Sequence, residues 1–291
     1  MTPEDHTDAS NETNGEPGAR DETDTAKLGI ALSGGGFRAA FFHIGVLARL
    51  AEHDMLRRVA VVSCVSGGSI IGAFYYLKVK QLLEGKRTDR LTPTREAYCQ
   101  LVSEIEREFT QAVQLNVRML TFADQRENAR MLSNVTSPTR RVGKLLDEHF
   151  YAPITGRSNN LLCDLAIDLP TNNEGIAADG TVVPQLSLNS TALNTGHLFQ
   201  FTGAYIGESS ISSVLGGTQA MPQLPRLHFD DSSLTGHQRG RLREITLGEA
   251  VTASSCVPGL LDPLSLEGLY QDETGEPVQL GLVDGGVFDN Q

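Results

Sequence analysis

The sequence predicts an α/β domain built on a parallel sheet, and three of its segments support that fold class. Two strand–turn–helix units follow each other near the start of the chain, and each contains a glycine-rich turn. Strands that alternate with helices along a chain pair in parallel through right-handed crossovers. A third apolar run, residues 280–283, ends at Asp284 and would supply a further strand.

The first unit contains a turn with three consecutive glycines. Residues 27–32 (KLGIAL) form a short apolar strand candidate, and residues 37–53 suit a buried helix. Between them lies the turn Ser33-Gly34-Gly35-Gly36. Such a turn leaves backbone N–H groups free to point at an anion, and the dipole of the following helix favours negative charge there. The turn is therefore predicted to bind an anion.

The second unit places a serine at a sharp bend. Residues 59–65 (VAVVSCV) are a continuous β-branched run, typical of a strand covered on both faces, and residues 69–83 read as a helix. A serine at a strained strand-to-helix turn holds its hydroxyl clear of the sheet, usually within G-x-S-x-G. Here Cys64 replaces the first glycine, while Gly68 matches the second. By itself the pentapeptide leaves two alternatives open: a nucleophile, or a serine that caps a helix.

Two functions fit the triglycine turn, namely an oxyanion hole and a dinucleotide site. Gly34-x-Gly36-x-x-Ala39 formally satisfies the dinucleotide fingerprint. That fingerprint also requires an acidic residue at the end of the next strand, roughly 20 residues on. The next strand ends at Ser66 instead. A nucleophile where a cofactor binder needs an acid favours a hydrolase, and a nucleotide-binding or non-catalytic interaction module remains the alternative.

The middle of the chain, about residues 85–150, is predicted to be a helical insertion. Five apolar residues fall at helical spacing and form one amphipathic face: Tyr98, Leu101, Val102, Ile105 and Phe109. A further helix is predicted over residues 141–150. The favoured interpretation is a helical layer packed on the sheet, and a lid or membrane-facing element is the alternative.

The later part of the chain reads as a hairpin, a long loop and one more helix. Two alternating runs within residues 186–201 flank Asn194-Thr195-Gly196, which is a hairpin signal. Residues 206–243 are rich in Gly, Ser, Pro and Asp and predict a loop region. In that region, Asp230-Asp231 favours a solvated loop over a divalent metal site. Residues 245–253 predict a helix.

The charge distribution excludes a nucleic-acid partner. Residues 1–26 carry eight acids and one base, a net charge of −7, so the other 265 residues carry −5 of the total of −12. The first 26 residues have almost no apolar side chains, which predicts a disordered tail without a signal peptide. The remaining, mildly acidic part offers no basic footprint for nucleic acid. No apolar stretch reaches the length that spans a bilayer.

The four cysteines, Cys64, Cys99, Cys163 and Cys256, are widely spaced. Their spacing fits neither a zinc site nor a disulfide framework, so reduced thiols in a cytosolic protein are expected. A cytoplasmic location follows, with peripheral contact at a membrane compatible with it.

Four short motifs in order resemble those of patatin-like phospholipases. They are SGGGFR at 33–38, VSGGS at 65–69, ASSCVP at 253–258 and DGGVFDN at 284–290. Each is weak alone, but the resemblance spans residues 27–290, nearly the whole predicted domain of 27–291. It implies a three-layer α/β/α fold with a mostly parallel central sheet, and a Ser–Asp dyad without a histidine.

The resemblance also implies a role for individual residues. Ser66 would be the nucleophile and Asp284 its base. The oxyanion hole and its surroundings would comprise Gly34, Gly35, Gly36, Arg38 and Gly67, with much of the hole formed by the amides of Gly35 and Gly36 and with Arg38 closing the glycine loop. No metal or organic cofactor is expected. The substrate would be a phospholipid, a lysophospholipid or a similar acyl lipid.

The residues themselves agree with a dyad. Asp284 ends an apolar run and precedes two glycines, which would place its carboxylate at the carboxyl edge of the sheet. Alone, the Asp-Gly pair would more simply indicate a turn. Among the histidines, His43 falls in a buried helix and reads as a core residue, and His197 after the hairpin glycine is the other candidate base. A free carboxylate with a pKa near 3.9 is a poor base for a serine hydroxyl, and burial raises that pKa.

The chain ends at Gln291, inside the last of the four motifs. The position of this end within a motif leads us to expect a truncated chain.

Overall fold

The described residues form one mixed eight-stranded sheet with helices packed against it, as seen in a computed structural model. The structure describes residues 27–89, 91–133, 136–209, 223–272 and 274–290. The acidic tail predicted for residues 1–26 lies outside these ranges. The strands are β1 (Leu28–Leu32), β2 (Val59–Val65), β3 (Gln185–Ala192), β4 (Leu198–Thr202), β5 (Tyr205–Glu208), β6 (Leu227–His228), β7 (Leu264–Gln271) and β8 (Pro277–Asp284). The helices are α1 (Gly36–Glu52), α2 (Gly67–Leu83), α3 (Arg95–Gln114), α4 (Val117–Ala123), α5 (Gln125–Leu132), α6 (Pro138–Leu146), α7 (Ala152–Thr155), α8 (Gly236–Arg243) and α9 (Leu247–Ser255).

The predicted α/β class, with a central sheet flanked by helices, is confirmed. The predicted parallel pairing joins β1 to β2 and β2 to β3, so both strand–turn–helix units of the sequence lie in the parallel part. The other pairings of the described strands are antiparallel. The sheet is therefore parallel where the two glycine-rich turns leave it.

Strands β2 and β8 meet head to head along one edge of β3. Val65, the last residue of β2, pairs with Asn189, and Asp284, the last residue of β8, pairs with Ser190. The other edge of β3 is taken by β4 over the same stretch. Because a strand rises about 3.3 Å per residue, the carboxyl ends of β2 and β8 lie roughly one residue apart along β3.

Helices α2 and α9 pack on one face of the sheet and touch each other. Helix α2 is buried on nearly every side, as the run from Ile70 to Val79 is apolar with few breaks. Its packing is close: a side chain on Gly72 would begin 2.3 Å from the sulfur of Cys64. This contact holds α2 directly against the strand that precedes it.

The opposite face of the sheet is polar at its centre. Asn189 donates to the Ser63 hydroxyl at 2.9 Å and to the Cys64 carbonyl at 3.0 Å. Gln200 on β4 in turn donates to Ser187 and Asn189. Next to this ladder the side chain of Val61 is exposed to solvent.

The sequence prediction needs two corrections in the later part of the chain. The hairpin around Asn194-Gly196 is confirmed as β3 and β4. The loop predicted for residues 206–243 instead contains part of β5, the short β6 and helix α8, while residues 210–222 lie outside the described ranges. Helix α8 begins with a capping box in which Thr235 and Gln238 bond reciprocally, a local signal that the high content of Gly and Ser obscured.

Strand β7 was not predicted. Its sequence LSLEGLYQ is interrupted by Gly268, where the register with β8 shifts. A bulge of this kind breaks the alternation that identifies a strand.

In the described ranges, no helix combines the length and the apolar character that crossing a bilayer requires.

Candidate active site

Ser66 forms a strained turn between β2 and α2. Its φ of 53° and ψ of −120° lie where residues with a side chain rarely occur. Such conformations cost about 1–3 kcal/mol and persist only when the surroundings enforce them. Here the close packing of the next two residues holds the turn in place. A Cβ on Gly67 would lie 2.1 Å from the Gly36 carbonyl oxygen, and a Cβ on Gly68 would lie 2.0 Å from the Leu32 carbonyl oxygen. The bend predicted at Ser66 is therefore present and tightly packed.

The triglycine turn lies directly against Ser66. A Cβ placed on Gly34 would be 3.0 Å from the Cβ of Ser66. Gly35 and Gly36 both have positive φ, 139° and 64°, which a glycine adopts without steric cost. The two predicted turns are thus brought together at one end of the sheet.

Free backbone donors are concentrated at this junction. Helices α1 and α2 both start here, and neither has a side-chain cap. Within the described part of the chain, the amides of Gly35, Gly36 and Gly67 have no hydrogen-bond acceptor. Unsatisfied amides at two adjacent helix N-termini form a natural site for an anion or a developing oxyanion.

The Gly34 amide differs from its neighbours because it already has a partner. It donates to Oδ1 of Asn290 at 2.9 Å. The same oxygen would lie 3.3 Å from a Cβ on Gly286, which itself would be 3.0 Å from Oδ1 of Asp284. Asn290 therefore links the triglycine turn to the turn that follows Asp284.

The Asp284 carboxylate is buried and half satisfied. The residue is 5% exposed, and its Oδ1 accepts the Gly286 N–H at 2.8 Å. Its Oδ2 is buried and has no hydrogen-bond partner among the described residues. A buried carboxylate oxygen without a donor is costly and indicates a functional demand on the group.

Ser66 and Asp284 are held by the same short segment, the end of α9. The N–H of Ser66 donates to both the carbonyl and the hydroxyl of Ser254, and the N–H of Asp284 donates to the carbonyl of Cys256 at 3.0 Å. Gly285, next to Asp284, also lies against β2, since its Cβ would be 3.2 Å from a methyl of Val65. The backbones of Ser66 and Asp284 are near neighbours along β3, and among the described residues no hydrogen bond joins Ser66 Oγ to the Asp284 carboxylate.

Comparison with protein families supplies the deciding observation. A family model described as "Patatin-like phospholipase" matches residues 30–291. The chain belongs to the patatin-like phospholipase family.

Among solved structures, that of VipD from Legionella pneumophila is similar to this chain, at 13% sequence identity and with a TM-score of 0.33. The match covers 92% of this chain and 47% of that one, so the chain spans about half the length of VipD. Among curated proteins, none matches the sequence.

The remaining residues singled out from the sequence lie around this patatin-like site without taking part in the contacts above. Arg38 is exposed in the first turn of α1. His43 is buried, and its Nε2 lies 3.0 Å from the Ser33 carbonyl oxygen, so it supports the triglycine turn from below. His197 binds the buried carboxylate of Glu208 through Nδ1 at 2.9 Å. The hydrogen bonds given above for the two side chains do not involve Ser66.

The cysteines near the site are poor competitors for the nucleophile. Burial raises the pKa of the Cys256 thiol to about 11, and it raises that of Cys64 still further. A thiol attacks as its thiolate, so neither is reactive near neutral pH. The described residues contain no cluster of His, Cys, Asp and Glu suited to a metal ion.

Sequence reasoning missed Ser254 and Asn290. Both fall inside motifs that were recognised, ASSCVP and DGGVFDN, but they were given no role. The signal available for Ser254 was its place near the end of an apolar helix, two residues before Cys256 and four before Pro258. Only the fold shows that this helix ends beside Ser66.

Proposed function

We propose that the chain hydrolyses carboxylic esters of phospholipids or lysophospholipids, with Ser66 as nucleophile and Asp284 as general base. The observation that carries this proposal is the unpartnered, buried Oδ2 of Asp284, one strand position away from the strained turn of Ser66. A base must lie within hydrogen-bond reach of the proton that it takes, directly or through one water.

The proposed reaction begins with attack of Ser66 Oγ on the ester carbonyl carbon. The hydroxyl proton passes to Asp284, and the carbonyl oxygen becomes an oxyanion. Collapse of the tetrahedral intermediate breaks the C–O bond to the alcohol, which leaves with the proton from Asp284. Water then attacks the acyl carbon and gives a proton to the same carboxylate. The bond between the acyl carbon and Ser66 Oγ breaks, Asp284 returns the proton to Oγ, and the fatty acid leaves.

The oxyanion would be stabilised by backbone amides. The free N–H groups of Gly35, Gly36 and Gly67 converge beside Ser66, and the dipoles of α1 and α2 add positive potential. Removing one such donor from a hydrolase typically lowers the rate by about 100- to 1000-fold. Arg38, in the first turn of α1, would add to this potential.

The test compares Ser66→Ala and Asp284→Asn with the parent protein on p-nitrophenyl butyrate, and then on phosphatidylcholine and lysophosphatidylcholine. Both variants should lose activity by about 1000-fold or more, because each removes a partner of one proton transfer. Matched controls are Ser103→Ala on the exposed face of α3 and the exposed Asp164→Asn, which should keep parental rates.

Labelling identifies the nucleophile independently of turnover. A fluorophosphonate probe should modify the parent and Asp164→Asn but not Ser66→Ala. If Ser66→Ala and Asp284→Asn hydrolyse esters as fast as the parent, the dyad is wrong. Absence of labelling at Ser66 together with tight binding of NAD would favour a nucleotide-binding module instead.

A further inference from the structure

Helix α4 exposes apolar side chains on the face that points to water. Its inner face is packed against the protein, since Val117 and Thr121 are buried. On its outer face Met119 is 68% exposed and Phe122 60% exposed. Apolar side chains grouped on the outer face of a helix, with the inner face already packed, indicate an interaction surface.

The exposed apolar surface continues through the neighbouring segments. Leu115, just before α4, is about half exposed, and Leu132 at the end of α5 is 87% exposed. Leu115, Met119, Phe122 and Leu132 are called the α4–α5 patch below. Beside it runs a groove of about 630 Å³, lined in part by Phe122, Met131, Leu132, Pro138 and Pro263.

The groove connects the α4–α5 patch to the end of the sheet that carries the active site. Thr139, in the first turn of α6, donates to the Asp262 carbonyl at 2.6 Å. Asp262 and Pro263 lead into β7, whose first residue Leu264 pairs with Leu282, two residues before Asp284. In the same connecting segment Leu260 is 71% exposed. The exposed apolar residues thus border the end of the sheet where Ser66 and Asp284 lie.

The patch lies in a segment of net positive charge. Residues 117–146 contain six basic and two acidic residues, which is a net charge of +4. The remaining residues have a net charge of −16, and the whole chain has −12. On α5, Arg126 and Arg130 are both exposed. Apolar side chains flanked by arginines match the two layers of an anionic bilayer, namely its acyl region and its headgroups.

We propose that the α4–α5 patch docks the protein on the surface of an anionic phospholipid bilayer. Phe122 and Leu132 insert among the acyl chains, and Arg126 and Arg130 lie at the level of the headgroups. The proposal rests on the proposed function, because docking in this way turns the active-site end of the sheet toward the lipid substrate. The acidity of the chain as a whole opposes binding to anionic lipid, and the local +4 segment offsets it.

The experiment measures binding of the full chain to vesicles of phosphatidylcholine, with and without phosphatidylserine, by sedimentation. The Ser66→Ala variant is used as the background, so that turnover does not change the vesicles. Binding should be stronger with phosphatidylserine and should weaken as salt rises. Leu132→Asp should weaken binding by at least about 10-fold, since burying one large apolar side chain contributes that much.

The matched control is Ser103→Asp, which adds the same charge to an exposed helix surface that lacks apolar residues. It should weaken binding much less than Leu132→Asp does. With Ser66 restored, phospholipid hydrolysis in vesicles is divided by hydrolysis of p-nitrophenyl butyrate for each variant. This ratio should fall by at least about 10-fold for Leu132→Asp, in line with the loss of binding.

Failure of the docking proposal is distinguishable from failure of the proposed function. Equal vesicle binding by the parent, Leu132→Asp and Ser103→Asp, or no binding at all, overturns docking even if p-nitrophenyl butyrate is hydrolysed. Absence of ester hydrolysis in a chain that binds vesicles overturns the proposed function alone. If Leu132→Asp dissolves a dimer and leaves vesicle binding unchanged, the patch is a protein interface.

Discussion

The main-chain N–H of Ser66 lies between two oxygens of Ser254, 3.0 Å from the carbonyl and 3.1 Å from the hydroxyl. The same hydroxyl donates to the Asn189 carbonyl at 2.5 Å and lies 2.7 Å from the Ser69 hydroxyl. One buried serine therefore ties the strained turn to α2, to β3 and to the end of α9. Since the φ of Ser66 is unfavourable, these bonds are what we expect to keep the turn in place.

Ser254→Ala should lower kcat by about 10-fold and leave KM nearly unchanged. The variant loses hydrogen bonds in a buried cluster, each contributing about 1 kcal/mol, and lets the Ser66 turn relax. Ser254 is a positioning residue, so initial rates should show the loss in kcat, and the fluorophosphonate should label Ser66 more slowly. Ser255→Ala, which loses only a bond to the Val251 carbonyl, is the matched control. Equal kinetics for the two alanine variants would show that Ser254 does not position the turn.

Gly68→Ala should destabilise the fold by about 3 kcal/mol or more. The new Cβ would lie 2.0 Å from the Leu32 carbonyl oxygen, a backbone atom that cannot move without shifting β1. Gly45→Ala is the matched control, because it lies in α1 with nothing within 4 Å. There alanine should raise stability by about 0.5–1 kcal/mol through helix propensity. Urea unfolding midpoints measure both, and similar midpoints would contradict the close packing of the turn.

Asn290→Ala should reduce kcat by about 10-fold while changing the melting temperature by only a few degrees. The variant removes the acceptor of the Gly34 amide and frees the triglycine turn from the turn after Asp284. Because Asn290 is exposed, little stability depends on it. Asn159→Ala, another exposed asparagine, should leave kcat at the parental value. If Asn290→Ala keeps the parental kcat, Asn290 has no role in positioning the triglycine turn.

The contribution of Asp147 to the stability of the fold should fall as the pH rises from about 4 to about 6. Burial raises the pKa of Asp147 from its ordinary value of 3.8 to about 6 in the folded protein. Between these values the folded state holds a proton that the unfolded state has lost. The stabilisation from that proton is complete below the unfolded value and is lost as the pH passes the folded value.

Asp147→Asn should flatten this pH dependence by roughly 3 kcal/mol at most, since one pKa unit corresponds to about 1.4 kcal/mol. The carboxamide can still accept the N–H of Gly248, at the start of α9. Urea midpoints taken across the interval measure the slope, with the exposed Asp164→Asn as control. An unchanged slope in Asp147→Asn would assign the pH dependence to other groups.

The parallel part of the fold could be predicted because its signals are local. The β-branched run of β2 and the glycines on either side of Ser66 specify a strand, a bend and a helix within neighbouring residues. The packing that requires Gly68 is long-range, as its close contact is with Leu32, yet the glycine itself was visible in the sequence. These features placed Ser66 at the end of a central strand correctly.

The rest of the site depends on pairings that the sequence does not reveal. The register of β8 against β3, which brings Asp284 beside Val65, is set by tertiary packing and by a strand, β7, whose pattern is broken at Gly268. The outward apolar face of α4 was similarly hidden, because the sequence shows apolar spacing but not which side meets the core. The roles proposed for Ser66 and Asp284 remain predictions.

The head-to-head meeting of β2 and β8 means that the two proposed catalytic side chains come from distant parts of the chain. Ser66 and the triglycine turn follow the first two strands, whereas Asp284 is held in place by the pairing of the β7–β8 hairpin with the edge of β3. A chain with β1, β2 and β3 assembled but this hairpin detached would display a serine without a base. If Ser66 and Asp284 act as proposed, hydrolysis therefore requires the β7–β8 hairpin to be paired with β3.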